Sequence, residues 1–222
     1  MKTLLAFILF ALSSLTYVNA TDNKTIRIST KDTDLILQVG ENGRLYQTYL
    51  GEKLLHEQDL QHFQWNIHAG SDGSVSKRGW EVYSGSGNED FFEPAISITH
   101  HDGNPSTILY YVSSSDKAVE GGTETTILLR DDRYPVEVTL HYIAYPKENI
   151  IKTWSEIRHQ EKKPVTLSSY ASTMLYFNNS GYYLTEFNSD WAKEAQMSSQ
   201  QLQFGKKVID TKLGSRAAMH TH

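Results

Sequence analysis

The chain contains no cysteine. That absence removes disulfides, thiolate zinc sites and thiol nucleophiles together, so the fold must hold by its own apolar core. An excess of positive charge is also missing: 21 Lys and Arg are mixed with 26 Asp and Glu for a formal charge of −5. No basic patch for nucleic acid follows from that balance. Helical periodicity is almost absent, as are heptads, internal repeats and low-complexity segments. Beyond the N-terminal segment, no apolar run approaches the roughly 20 residues that cross a bilayer as a helix.

What is present begins with "MKTLLAFILFALSSLTYVNA", residues 1–20. One positive charge at Lys2, an apolar run from Leu4 to Leu12 and a polar step ending in small Ala20 form the pattern of a secretory signal peptide. The apolar run is too short to anchor the chain as a membrane span. Cleavage near Thr21 leaves residues 21–222 as one exported domain, periplasmic or extracellular, or as a piece of something larger.

The rest alternates. "TIRIST" (25–30), "DLILQV" (34–39) and "RLYQTYL" (44–50) are short runs parted by polar turns, the spacing of a β-meander. In "VEVTLHYIAY" (136–145), Val136, Val138, Leu140, Tyr142 and Ala144 share one face against Glu137, Thr139 and His141 on the other. "IIKTWSEIRHQ" (150–160) and "PVTLSSYASTMLYF" (164–177) continue the pattern. Strands longer than the usual five or six residues predict an all-β fold, a large antiparallel β-sandwich. One segment departs: after Ser189 or Asp190 as N-cap, residues 191–196 are expected to form a short helix or irregular excursion before a strand.

The stretch "GWEVYSGSGNEDFFEPAISI" (79–98) concentrates glycines and acids. It lacks the lysine and the following helix of a phosphate-binding loop. Glu81, Glu89, Asp90 and Glu93 offer either a carboxylate pair for glycosidic acid/base work or a solvated acidic loop. His100 and His101, read as strand residues, point to opposite faces, which argues against a shared metal. His56, His62 and His68, six apart, read as surface or loop histidines. No Gly-x-Ser-x-Gly elbow occurs. Thirteen Tyr and four Trp suit both sheets and sugar-binding surfaces. The residues alone lead to an exported, aromatic-rich β-sandwich.

Resemblance adds to this. "GRLYQTYLGEKL" (43–54), "WEVYSGSGNEDFFEPAISI" and "VEVTLHYIAYPKENIIKTWSEIRHQEKKPVTL" (136–167) follow one another as in the N-terminal domain of family 36 glycoside hydrolases. These are α-galactosidases with a β-supersandwich in front of a catalytic barrel. Glu81, Tyr83, Gly87, Asp90, Phe91, Pro94 and Ala95 resemble the family's Glu-x-Tyr motif, which has arginine where this chain has Phe92. Trp191, Leu202, Gly205, Ile209, Gly214 and His220 are similar to a later family segment.

The resemblance implies that residues 21–222 form a supersandwich incomplete at its C-terminal end, the front part of a longer enzyme and inactive alone. The barrel of the parent chain would supply two aspartates, about 5 Å apart, for retaining hydrolysis of terminal α-galactose. No metal or organic cofactor is implied. The implied partners are a galactosyl oligosaccharide or polysaccharide, the barrel and further copies of the chain. Asp59, Trp65 and Trp191 are the substrate-binding candidates that the resemblance implies. For Asp59 the alternative is a turn cap, and for the tryptophans it is core packing. Two other functions stay open: a stand-alone carbohydrate-binding sandwich, and an aldose-epimerase-type enzyme using His141 and Glu186.

Overall fold

The computed structural model describes residues 24–63, 80–87, 93–177, 180–190 and 193–210. The chain forms two compact units that divide between Tyr176 and Phe177.

The first unit opens with the expected meander, β1 (Thr25–Ser29), β2 (Thr33–Val39) and β3 (Leu45–Glu52), paired antiparallel in that order. A 3-10 helix at Glu57–Phe63 follows. Strand β4 (Ile96–Thr99) pairs with β9 (Thr166–Tyr170), while β5 (Leu109–Val119), β6 (Gly122–Asp131), β7 (Val136–Tyr145) and β8 (Ile150–His159) form a four-stranded antiparallel sheet in sequence order. The period-two pattern decides its inner face. Val136, Val138, Leu140, Tyr142 and Ala144 are all buried, and their neighbours Glu137, Thr139 and His141 lie on the other face, half-buried. The turn from β6 to β7 is shaped by Asp131, whose Oδ1 accepts the N–H groups of Arg133 and Tyr134 at 2.7 and 2.8 Å.

The segment with the glycines and acids supplies the missing strand of the other layer. The Gln47 N–H donates to the Trp80 carbonyl at 2.8 Å and the Val82 N–H to the Leu45 carbonyl at 2.9 Å, an antiparallel pairing with β3. A few residues on, the Ser86 and Ile96 N–H groups donate to the Ile96 and Ser84 carbonyls at 3.1 Å, a parallel bridge to β4. Residues 80–86 thus join the three-stranded sheet to β4 and β9 in one hydrogen-bonded layer. That layer faces the four-stranded sheet across a single core of Ile28, Leu35, Leu37, Tyr83, Ile98, Ile127, Leu129 and Val138, with their neighbours. The predicted antiparallel β-sandwich is the fold.

Two expectations are corrected. The strand predicted over 164–177 is a ladder only at Thr166–Tyr170. After a last rung from the Ala171 N–H to the Ala95 carbonyl at 2.7 Å, side chains take the backbone groups: the Tyr83 and Ser155 hydroxyls donate to the Ala171 carbonyl and the Gln47 amide brackets Tyr176.

The second correction lies in the second unit, where β10 (Tyr183–Asp190) and β11 (Lys193–Gln201) form an antiparallel hairpin with Phe187 opposite Met197 and Asn188 opposite Gln196. The helix expected at 191–196 is therefore absent from 193–196, which is strand. Six residues are too few to repay helix nucleation, and pairing with β10 offers each backbone group a partner at once. Residues 191 and 192 lie outside the described residues.

Candidate functional site

Glu81, the first acid of the glycine-rich segment, is no free acid. Arg44 grips it with both arms of its guanidinium, Nε to Oε1 at 3.0 Å and Nη2 to Oε2. The pair is mostly buried, with the Glu81 side chain 6% exposed. A carboxylate held in a bidentate fork keeps its charge and has little freedom to move a proton. Glu93 is exposed, and Glu89 and Asp90 lie outside the described residues. The described part of the segment therefore contains no carboxylate pair.

Its other members also act on the fold. Tyr83 is buried and donates its hydroxyl to the Ala171 carbonyl at 2.7 Å, and burial pushes its phenol up from the ordinary value. Gly85 packs so closely that a Cβ would stand 2.0 Å from the Thr107 carbonyl oxygen. Gly87 has φ of 80°, and a Cβ there would stand 2.3 Å from the Ser106 hydroxyl oxygen and 2.8 Å from the Ser106 Cα.

The histidines behind that wall differ from their expected arrangement. β4 stops at Thr99, so His100 and His101 sit on a turn, and both point at Glu161, 61 and 60 residues away in the chain. His100 Nδ1 is 2.7 Å from Oε1, and His101 Nδ1 is 2.6 Å from Oε2. The His101 N–H donates to the same Oε2 at 3.1 Å. Burial pushes the Glu161 carboxyl up, but these hydrogen bonds outweigh it and hold it at about 2. The His100 ring lies flat on Tyr134 with centroids 3.5 Å apart. Both carboxylate oxygens are committed to imidazoles. Among the described residues, no group of three His, Cys, Asp or Glu could hold a metal ion. Nothing in the local sequence announces Glu161 as the partner.

Of the three resemblance-derived candidates, the structure places one. Asp59 sits half-buried on the 3-10 helix, its backbone N–H donating to the His56 carbonyl at 3.1 Å. Trp65 and Trp191 lie outside the described residues, as do His68 and the signal-like residues 1–20. His56 is exposed. His141, on the outer face of β7, has Nδ1 2.9 Å from Glu124 and stacks on Trp154. Glu186, in the second unit, accepts a hydrogen bond from the Ser198 hydroxyl and faces Lys207 at 3.8 Å. Each of the epimerase candidates is thus engaged with groups of its own unit. A small cleft of about 230 Å³ between Arg130, Pro135, Glu137, Arg158 and Gln160 lies at one end of the four-stranded sheet.

Two antiparallel layers, joined through a Glu-x-Tyr strand and packed on one core, define an antiparallel β-sandwich domain. The chain belongs to glycosyl hydrolase family 36: the family's N-terminal domain matches residues 43–222. Among solved structures, the α-galactosidase from Lactobacillus brevis is similar at 20% identity and a TM-score of 0.69, over 84% of this chain and 28% of that one. An AgaA variant from Geobacillus stearothermophilus, in complex with raffinose, is similar at 22% identity and a TM-score of 0.70, over 82% and 28%. The galactosidase domain of the α-galactosidase-sucrose kinase AgaSK is similar at 21% and 0.70, with the same coverage of each chain, 82% and 28%. At such identities the likeness shows the fold. The chain spans little more than a quarter of the length of these proteins. No curated protein matches it.

Proposed function

We propose that this chain is the front domain of an exported α-galactosidase that removes terminal α-linked galactose from oligosaccharides or galactomannans. The observation that carries the reading is the family 36 N-terminal match over 43–222, which includes the strand that closes the layer. Two carboxyls on a following barrel perform the chemistry: one attacks the anomeric carbon and the other protonates the leaving oxygen, through a glycosyl-enzyme intermediate. The sandwich packs on that barrel, takes part in contacts between copies of the chain, and completes the rim of the galactose pocket. Asp59 accepts hydrogen bonds from sugar hydroxyls there, and the rings of Trp65 and Trp191 lie against the C–H face of the sugar. Residues 1–20 direct export and are removed.

The test is to express the chain alone and in frame with the coding sequence that follows His222, and to measure galactose released from raffinose. Release by the longer protein and none by the chain alone is expected. A folded longer protein that releases no galactose overturns the reading. Tight raffinose binding by the chain alone, measured by calorimetry, points instead to a stand-alone carbohydrate-binding sandwich.

A further inference from the structure

Arg130 on β6, Glu137 on β7 and Arg158 on β8 stand opposite one another across three strands, at one end of the four-stranded sheet. Residues paired in register share a face of the sheet, and this is the outer face that also carries Thr139 and His141. Two cations thus flank one anion, and only one of them takes it. Arg130 places Nε and Nη2 on the same oxygen, Glu137 Oε1, at 2.9 and 2.7 Å. Among the described residues, the Arg158 guanidinium makes no hydrogen bond or ion pair, and Glu137 Oε2 meets no donor. Pro135 and Gln160 complete the lining of the cleft of about 230 Å³ at this place. Its wall is fixed by the backbone: the Gln160 N–H donates to the Pro135 carbonyl at 2.8 Å, one step past the last pair of the ladder, Val136 and His159. The Gln160 side chain is exposed and brings both a donor and an acceptor.

The open groups select a ligand by what each of them needs. A guanidinium offers a planar fork of N–H donors that matches a carboxylate. The carboxylate oxygen left over on Glu137 repels a bare anion but accepts a hydroxyl. We propose that this cleft binds a ligand that carries a carboxylate beside hydroxyl groups, of the uronic acid class: its carboxylate lies on the Arg158 fork, one hydroxyl donates to Glu137 Oε2, and the Gln160 amide pairs with another. Arg130 positions Glu137 and does not itself meet the carboxylate. A simple anion fits less well, because Glu137 then faces it with an unpaired negative oxygen. A neutral sugar also fits less well, because it leaves the Arg158 charge without a counter-charge. The inference rests on this chain's own residues and not on the galactosidase reading.

The test uses the full chain, labelled with ¹⁵N and titrated separately with D-galacturonate, D-galactose and acetate. Galacturonate is galactose with its terminal CH₂OH replaced by a carboxylate, and acetate is a carboxylate without the hydroxyls. Shifts of the Arg158 guanidinium and Gln160 amide N–H groups report the cleft. Galacturonate is expected to move them saturably, and galactose and acetate to bind about tenfold more weakly or worse. Arg158→Gln is expected to weaken galacturonate by about tenfold or more. Should Arg158→Gln fail to fold, Arg158→Lys, which keeps the charge and loses the fork, is expected to bind galacturonate more weakly than the wild type. A galacturonate dissociation constant above about 10 mM overturns the proposal. So does equal binding of acetate or of galactose at the cleft, or galacturonate binding that is unchanged in the folded Arg158 variant.

Discussion

Gln47 grips the backbone of Tyr176, 129 residues away, with both ends of its amide. Nε2 donates to the Tyr176 carbonyl at 2.6 Å and Oε1 accepts the Tyr176 N–H at 3.2 Å. Tyr176 in turn donates its hydroxyl to the Glu81 carbonyl at 2.9 Å and stacks on Trp80 with centroids 5.5 Å apart. The strip after β9 is therefore pinned across the 80–83 strand by side chains, where no ladder continues. Gln47→Leu leaves an amide N–H and a carbonyl without partners in a buried place, at a cost of about 2 to 3 kcal/mol. Urea unfolding followed by tryptophan fluorescence measures it, and a change below about 0.5 kcal/mol removes this bracket from the account of the fold.

Gly85 and Gly103 separate crowding from backbone strain. Gly85→Ala drives a Cβ into the Thr107 backbone at 2.0 Å, and Gly103→Ala, at φ of 88°, meets nothing within 4 Å. Gly103→Ala is expected to cost about 1 kcal/mol from the left-handed conformation alone. Gly85→Ala must displace main chain, so a loss of about 3 kcal/mol or more, or failure to fold, is expected. Thermal melts of the two variants, compared side by side, decide whether the close approach at Gly85 is needed.

Acid should weaken the first unit through two carboxylates. Burial pushes Asp34 up, but hydrogen bonds from Arg27, Ser29 and the Leu54 N–H outweigh it and leave it below the ordinary 3.8. Glu161 is held at about 2, below the ordinary 4.5. Because both are lowered in the folded state, the unfolded chain takes up protons first as pH falls. Their stabilisation is full above about pH 5 and is lost as pH drops through the ordinary values toward the folded ones. Urea midpoints measured from pH 6 to pH 3 should fall, and fall less in Glu161→Gln. Parallel slopes in the two proteins contradict the assignment for Glu161.

Asp34 itself is fully buried, and Arg27 reaches its Oδ2 at 2.6 Å. Asp34→Ala leaves the guanidinium only its bond to the Leu54 carbonyl at 2.7 Å and removes the acceptor of the Leu54 N–H, which now donates to Oδ2 at 2.8 Å. A loss of about 3 kcal/mol is expected. Arg27→Met, which leaves the carboxylate with its Ser29 and Leu54 donors, should cost less. The opposite ranking in urea titrations places the stabilisation on the guanidinium.

For Asp59 the expected split is between stability and binding. Asp59→Ala should shift the urea midpoint of this chain by no more than the equivalent of about 0.5 kcal/mol. In the longer enzyme proposed above, it should raise KM for raffinose by about tenfold, the loss of a hydrogen bond to a charged group. An unchanged KM removes Asp59 from the pocket and leaves it as a turn residue.

Much of the sandwich was legible because alternation is written into each strand. β7 runs over the same residues that its apolar pattern marks, and the meander from β1 to β3 follows its polar turns. The Glu-x-Tyr stretch was legible as a family motif but not as a strand, since Glu81 pairs with β3 on one side and Gly85 with β4 on the other. Residues 193–196 misled, because the composition of a short segment does not reveal that β10 stands ready to pair with it. Of the site candidates, Asp59 lies on the 3-10 helix, and Trp65 and Trp191 lie outside the described residues.

The sequence by itself determined the class of fold, the absence of disulfides and the family, since these depend on composition, on a period of two and on ordered local motifs. Only the tertiary structure decided the roles of the polar groups. It turned Glu81 from a candidate acid into the partner of Arg44, and His100 and His101 from opposed strand residues into a clamp on Glu161. The physical reason is that a buried charge or backbone group must find its partner wherever the fold brings one, and here those partners lie 37, 60 and 61 residues away.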